Sequence, residues 1–146
     1  PNRFWSHLQN NSSGELSAQS ASRYIHFESL SLQVGGGSFS RAEVFIRNQT
    51  GHRIRGEKQG FTPCEATLIA LDLAIDQCFY LPHRELINFS ILPSIGGPKA
   101  LVEVSLDVEC AGQLFPARAR HNSVYHACAE AYINAINEIA DAFHLD

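Results

Sequence analysis

Methionine is missing from all 146 residues, and the chain opens on Pro1. The expectation is a domain cut from a longer protein rather than a processed precursor, because no targeting segment is visible. Basic residues are also scarce: 11 Lys and Arg stand against 15 Asp and Glu, for a net charge of −4 and a pI near 6.0. That balance argues against a nucleic-acid partner or an anionic membrane surface, since either needs clustered cations. No apolar run reaches the roughly 20 residues of a membrane span, so no membrane partner is expected. The four cysteines, Cys64, Cys78, Cys110 and Cys128, include no CxxC pair. Each lies in an otherwise apolar pattern, so they are read as buried free thiols, which implies a reducing cytoplasm. Without a signal peptide, the sequons at Asn10, Asn11, Asn48 and Asn88 are chance matches.

What is present is strong patterning. With 45% hydrophobic residues, the chain suits one medium domain or two small fused units whose core needs no staples. The best-patterned stretch is Asn122 to Phe143. Val124, Cys128, Ala131, Ala135, Ile139 and Ala142 recur at helical spacing, while Glu130, Asn134, Asn137, Glu138 and Asp141 fall on the other side. Ala127, Ala131 and Ala135 make the buried face small-sided, so this helix is expected to sit with its backbone close to a sheet. Asn122 or Ser123 is placed to cap its first amides.

In chain order, residues 1–22 read as a linker with Phe4, Trp5, Leu8 and Leu16 as an anchoring patch. Tyr24 to Val34 is rich in strand formers, with a break in alternation near Glu28-Ser29 that predicts a bulge. Gly35-Gly36-Gly37 turns the chain, Ala42 to Ile46 alternates as a strand, and His52 to Lys58 returns as a short polar strand. Thr62-Pro63-Cys64-Glu65 is a capping box with proline at the first helical position, predicting a helix to about Tyr80. After Leu81-Pro82-His83 the plan starts again. Ile87 to Ile91 alternates, Gly96-Gly97-Pro98-Lys99 turns, Val102 to Cys110 alternates almost without fault, and Phe115, Ala117 and Ala119 alternate before the last helix. Ala42 and Val102 lie 60 residues apart, and Thr62 and Ser123 lie 61 apart. The simplest reading is an α+β fold of two tandem β-β-β-α repeats related by a pseudo-twofold, over 23–80 and 81–146, each a small antiparallel sheet covered by one helix.

Catalytic chemistry is hard to find. Seven histidines, at positions 7, 26, 52, 83, 121, 126 and 144, include no H-x-H and no i, i+4 pair, so no metal and no cofactor are expected. Ser123 beside His121, or Cys128 near His126, has the composition of a nucleophile and base. Ser123 stands where a helix cap is wanted, however, and Cys128 lies on the buried helical stripe. Asp72 and Asp76, a turn apart, read as a solvated stripe. No catalytic residue is assigned.

The β-β-β-α order is shared with the double-stranded RNA-binding domain, but there the last helix begins with basic residues. Here it begins Asn122-Ser123-Val124-Tyr125-His126. A closer match lies elsewhere. Gly56-Glu57-Lys58-Gln59-Gly60 followed by Pro63-Cys64-Glu65-Ala66 is similar to a glycine-rich turn followed by Pro-Val-Asp-Ala. Gly97-Pro98-Lys99-Ala100 feeding Val102-Glu103-Val104 is similar to a Gly-x-Asp-Ala turn feeding a valine-rich strand. Ala127-Cys128, Ala131, Ala135 and Asn137 are similar to a last helix reading Asp-Ile-x-x-Ala-Ser-x-x-Ala with a later Ala-x-Asn. In this order and spacing, Tyr24 to Phe143 resembles the C-terminal regulatory domain of 2-isopropylmalate synthase and of its relative citramalate synthase. The departures are Phe61 and Thr62, which are additional, Lys58 for a glycine, Lys99 for Asp, and Ser123 where the helix would begin with Asp.

The resemblance implies a regulatory and dimer-contact domain of an acyltransferase that condenses acetyl-CoA with 2-oxoisovalerate in leucine biosynthesis. It implies leucine as feedback effector, a homodimer, and a catalytic barrel elsewhere in the parent chain. The implied effector residues are Gly60, Pro63, Ala66, Gly96, Gly97, Lys99, Ala100, Ala119 and Ser123. The alternatives are an interaction module of the same fold that binds no effector, and a citramalate synthase domain that binds isoleucine.

Overall fold

A computed structural model of the chain describes residues 24–35, 39–60, 62–93 and 101–144. Its elements run β1 (His26–Val34), β2 (Ser40–Arg47), β3 (Arg53–Gly60), α1 (Pro63–Ile75), β4 (Arg84–Pro93), β5 (Val102–Cys110), β6 (Gln113–His121) and α2 (Val124–Ala142). Each run of three strands forms its own antiparallel sheet, ordered β1-β2-β3 and β4-β5-β6, so β-β-β-α occurs twice. The expected linker over residues 1–22, and the turn residues Gly36, Gly37 and Gly96 to Ala100, lie outside the described residues.

The register slips between Phe27 and Ser29 in β1, where broken alternation predicts a bulge, and at the matching place between Leu86 and Asn88 in β4. A bulge lets one strand keep its apolar side chains on the covered face past a local break in the pattern.

Thr62 is extended (φ −119°, ψ 158°), its hydroxyl accepts from the Glu65 amide at 3.0 Å, and Pro63 takes the first helical position. The helix ends at Ile75, short of the expected Tyr80. Gln77 and Cys78 donate to Ala74 and Ile75 in tight turns, and Phe79 drops into the core from that turn. Phe79 extended the apolar pattern without extending the helix. α1 lies very close on its sheet: a Cβ at Gly56 would come within 2.0 Å of the Ala70 carbonyl oxygen, so β3 and α1 meet backbone to backbone.

α2 covers its sheet as its alanines predict, with Ala127, Ala131 and Ala135 fully buried over Val104, Leu106 and Val108 of β5 and Ala117 and Ala119 of β6. Its other side departs from expectation. Asn134, Asn137 and Glu138 are buried, not solvated. Asn137 bonds both backbone groups of Ile25, accepting from N–H at 3.0 Å and donating to C=O at 2.9 Å, and Asn134 donates to the Arg118 carbonyl. The reason is a second neighbour: α2 lies between its own sheet and the first repeat. β4 is the opposite case, exposed along nearly its whole length, with Leu86, Phe89 and Ile91 opposite Val108, Leu106 and Val104 but uncovered.

Candidate functional site

The two helices open side by side. Cys64, second residue of α1, and Cys128, in the second turn of α2, face each other with sulfurs 3.3 Å apart. The positive ends of both helix dipoles therefore adjoin.

Around this junction, Gly60 closes β3 directly beneath α1: a Cβ there would lie 2.8 Å from the Ala66 amide nitrogen, and Ala66 is fully buried. Pro63 is half-buried at the start of α1. The α1 opening is largely satisfied, since the Thr62 hydroxyl takes the Glu65 N–H and the Thr62 carbonyl takes the Ala66 N–H. At the α2 opening the Ser123 carbonyl likewise takes the Ala127 N–H, at 3.0 Å. Ser123 occupies the cap position in extended conformation, but its hydroxyl makes no cap hydrogen bond, contrary to the capping role its position predicts. Its own N–H instead donates to His121 Nδ1 at 3.0 Å, which turns the cap residue toward β6. Ala119 is buried in β6 opposite Val104, within the layer beneath α2. The structure thus groups Gly60, Pro63 and Ala66 at one helix opening and brings the α2 opening beside it through Cys64 and Cys128. Gly96, Gly97, Lys99 and Ala100 lie outside the described residues.

Two further features had no signal in the sequence pattern. His121 and His126 stack, with ring centroids 4.6 Å apart and planes 13° apart, and Phe27 meets His126 edge-on at 5.7 Å. Burial, then the His121 charge, holds the His126 imidazole below its ordinary pKa. Asp72 and Asp76 keep solvent contact, as a solvated stripe does, but are also paired: Arg84 of β4 donates to both, at 2.7 and 3.0 Å, and Tyr132 of α2 donates to Asp72 at 2.6 Å. Burial opposes charge on Arg84, yet Tyr132 and Asp72 hold its guanidinium above the usual range, while burial pushes the Tyr132 hydroxyl up. The thiols are free, as expected, but Cys64 and Cys78 are only half-buried beside the fully enclosed Cys110 and Cys128.

Among the described residues no three His, Cys, Asp or Glu side chains converge as a metal ion requires. Cys128 faces Cys64, and His126 stacks on His121. Among the described residues no helix is long and apolar enough to cross a membrane.

Comparison with known proteins gives the same ordering of elements a family. Residues 9–140 match the LeuA allosteric (dimerisation) domain. A 2-isopropylmalate synthase of Microcystis aeruginosa is 34% identical over 116 residues, covering 78% of this chain and 21% of that protein. Those of Trichodesmium erythraeum and Cupriavidus pinatubonensis are each 28% identical, over 74% and 83% of this chain and 19% and 22% of their own lengths. The chain therefore spans about a fifth of the curated relatives it matches. With the match running through both β-β-β-α units, the chain belongs to the LeuA allosteric (dimerisation) domain family.

Proposed function

We propose that this chain is the regulatory and dimerisation domain of a cytoplasmic 2-isopropylmalate synthase. In this reading the parent enzyme condenses acetyl-CoA with 2-oxoisovalerate on a separate catalytic barrel, and this domain binds leucine as feedback inhibitor and joins two copies of the chain. The relatives' shared name supports the parent activity.

One observation supports the effector reading: the hydroxyl of the α2 cap residue takes none of the first amides, next to the opening of a second helix. Two adjoining positive helix ends suit a carboxylate. Ser123 and Pro63 border that end, Gly60 and Ala66 act through their backbone, and Ala119 belongs to the apolar layer for the leucine side chain. Gly96, Gly97, Lys99 and Ala100 belong to the same proposed effector set, with Lys99 either reinforcing the carboxylate contact or filling the pocket.

A second reading has its own support. Gly60 is filled from behind by α1, which makes it a packing glycine rather than an open cradle and favours an interaction module without effector. Calorimetric titration of the chain with leucine, isoleucine and valine decides, with Gly97→Val as a blocked control. Saturable heat from leucine, lost in the control, is the expected result. No heat from any of them at millimolar concentration overturns the effector reading and leaves the interaction module, while an isoleucine preference redirects the parent to citramalate synthase.

A further inference from the structure

We infer that Cys64 and Cys128 form a reversible disulfide that ties the two repeats together at their helix openings, an oxidative modification site whose test requires no effector. The sulfurs stand 3.3 Å apart across 64 residues of chain. They need to approach by roughly 1.3 Å to reach bonding distance, within reach of side-chain rotation. The two partners are unlike in the way a nucleophilic and a resolving thiol are. Cys64 is half-buried in the first turn of α1, where the helix dipole favours a thiolate. Cys128 is fully buried on α2 and held in contact with Cys64 by the packing of both helices. The hydrogen bond with Cys128 lowers the Cys64 pKa, and the same bond, together with burial, raises that of Cys128. The other thiols lack both features: burial pushes Cys78 up to about 11, and Cys110 is raised by burial in the core.

The chemistry balances with a hydroperoxide as oxidant. The Cys64 thiolate attacks the peroxide, the O–O bond breaks, and the alcohol or water leaves with a proton, giving the Cys64 sulfenic acid. The Cys128 sulfur then displaces the hydroxyl, the S–S bond forms, and the hydroxyl leaves as water with the Cys128 proton. Two thiols and one peroxide yield one disulfide, one alcohol or water, and one water. A dithiol reverses the bond by exchange.

The test treats the reduced chain with hydrogen peroxide and maps cysteines by peptide mass spectrometry. The expected product is a chain with no covalent link to a second copy and lighter by two hydrogens, with a Cys64–Cys128 cross-linked peptide, free Cys78 and Cys110, and full reversal by dithiothreitol. Its melting temperature is expected to rise by roughly 10 °C, because the cross-link restricts the unfolded chain. Cys64→Ser abolishes both changes. Cys128→Ala is paired with it, and since Cys64 lies on an accessible first turn, its variant tests the idea even if the buried site does not tolerate change. Sulfinic acid at Cys64 without a cross-link, a disulfide that uses Cys78 or Cys110, or a cross-link between chains would each overturn the proposal.

Discussion

Single side chains differ widely in what they hold. Thr62 accepts one exposed amide, so Thr62→Ala costs about 1 kcal/mol. Asn137 satisfies both backbone groups of Ile25 inside the protein, so Asn137→Ala leaves a buried donor and acceptor unpaired and costs about 3 kcal/mol. Urea denaturation of the two variants is expected to rank them in that order, and equal midpoints would mean that the buried pair is rehydrated. The surface pairs Arg47 and Arg53 with Glu28, and Arg55 with Glu43, are exposed and contribute little by comparison. His126 sets a pH dependence whose sign follows from its lowered pKa. The fold holds the neutral ring, so its contribution is complete above the unfolded value of 6.5 and is lost as pH falls through 6.5 toward the folded value. Burial raises the nearby Glu130 carboxyl, which tilts stability the opposite way from 4.5 upward. The difference between wild type and His126→Phe therefore isolates the imidazole. Thermal melts are expected to show wild-type stability falling from pH 7.5 to 6 more steeply than that of the variant, and parallel curves would refute the assignment.

At the scale of elements, legibility follows how many partners an element has. β5 coincides with the alternating Val102 to Cys110 because it has one covered face and one open one. The α1 start was legible in Thr62-Pro63 because capping is local. α2 was legible in its alanine face and not in its polar one: helical periodicity assigns one buried stripe, whereas this helix has a sheet on one side and the first repeat on the other, with Asn134, Asn137 and Glu138 in the seam. Arg84 meeting Asp72 and Tyr132 joins three elements, a tertiary fact without a local signature. Gly60, Pro63, Ala66, Ala119 and Ser123 stand apart in the sequence, and that the two helix openings adjoin is a product of packing. The closeness of α1 to β3 gives a prediction at this scale. Gly56→Ala drives a methyl against the Ala70 carbonyl oxygen, which cannot move without shifting the helix. A loss of about 3 kcal/mol or more is expected by denaturation, against less than 1 kcal/mol for Gly112→Asn in an open turn. A silent Gly56→Ala would mean that α1 sits farther from its sheet.

For the whole molecule, the two repeats differ in what covers their first strands. Phe27, Leu30 and Leu32 of β1 pack against the core, with Phe27 meeting His126 of α2. Leu86, Phe89 and Ile91 of β4 occupy the same place in the second sheet, yet are 36%, 37% and 48% exposed. A pseudo-symmetric molecule with one of two equivalent apolar faces covered has an unmet contact, and a second copy offering the same β4 face across a twofold axis meets it with matched chemistry. The proposed homodimer accordingly places its interface on β4. Phe89→Asp with Ile91→Asp leaves the β4 backbone ladder to β5 intact, because both side chains are already outside the core. The pair is expected to raise the dimer dissociation constant at least about 100-fold, while the circular dichroism spectrum is unchanged. Sedimentation equilibrium at micromolar concentration reads this directly: a wild-type dimer and a double-variant monomer support the β4 interface, a double variant that stays dimeric places the contact elsewhere, and a wild-type monomer removes the dimer altogether.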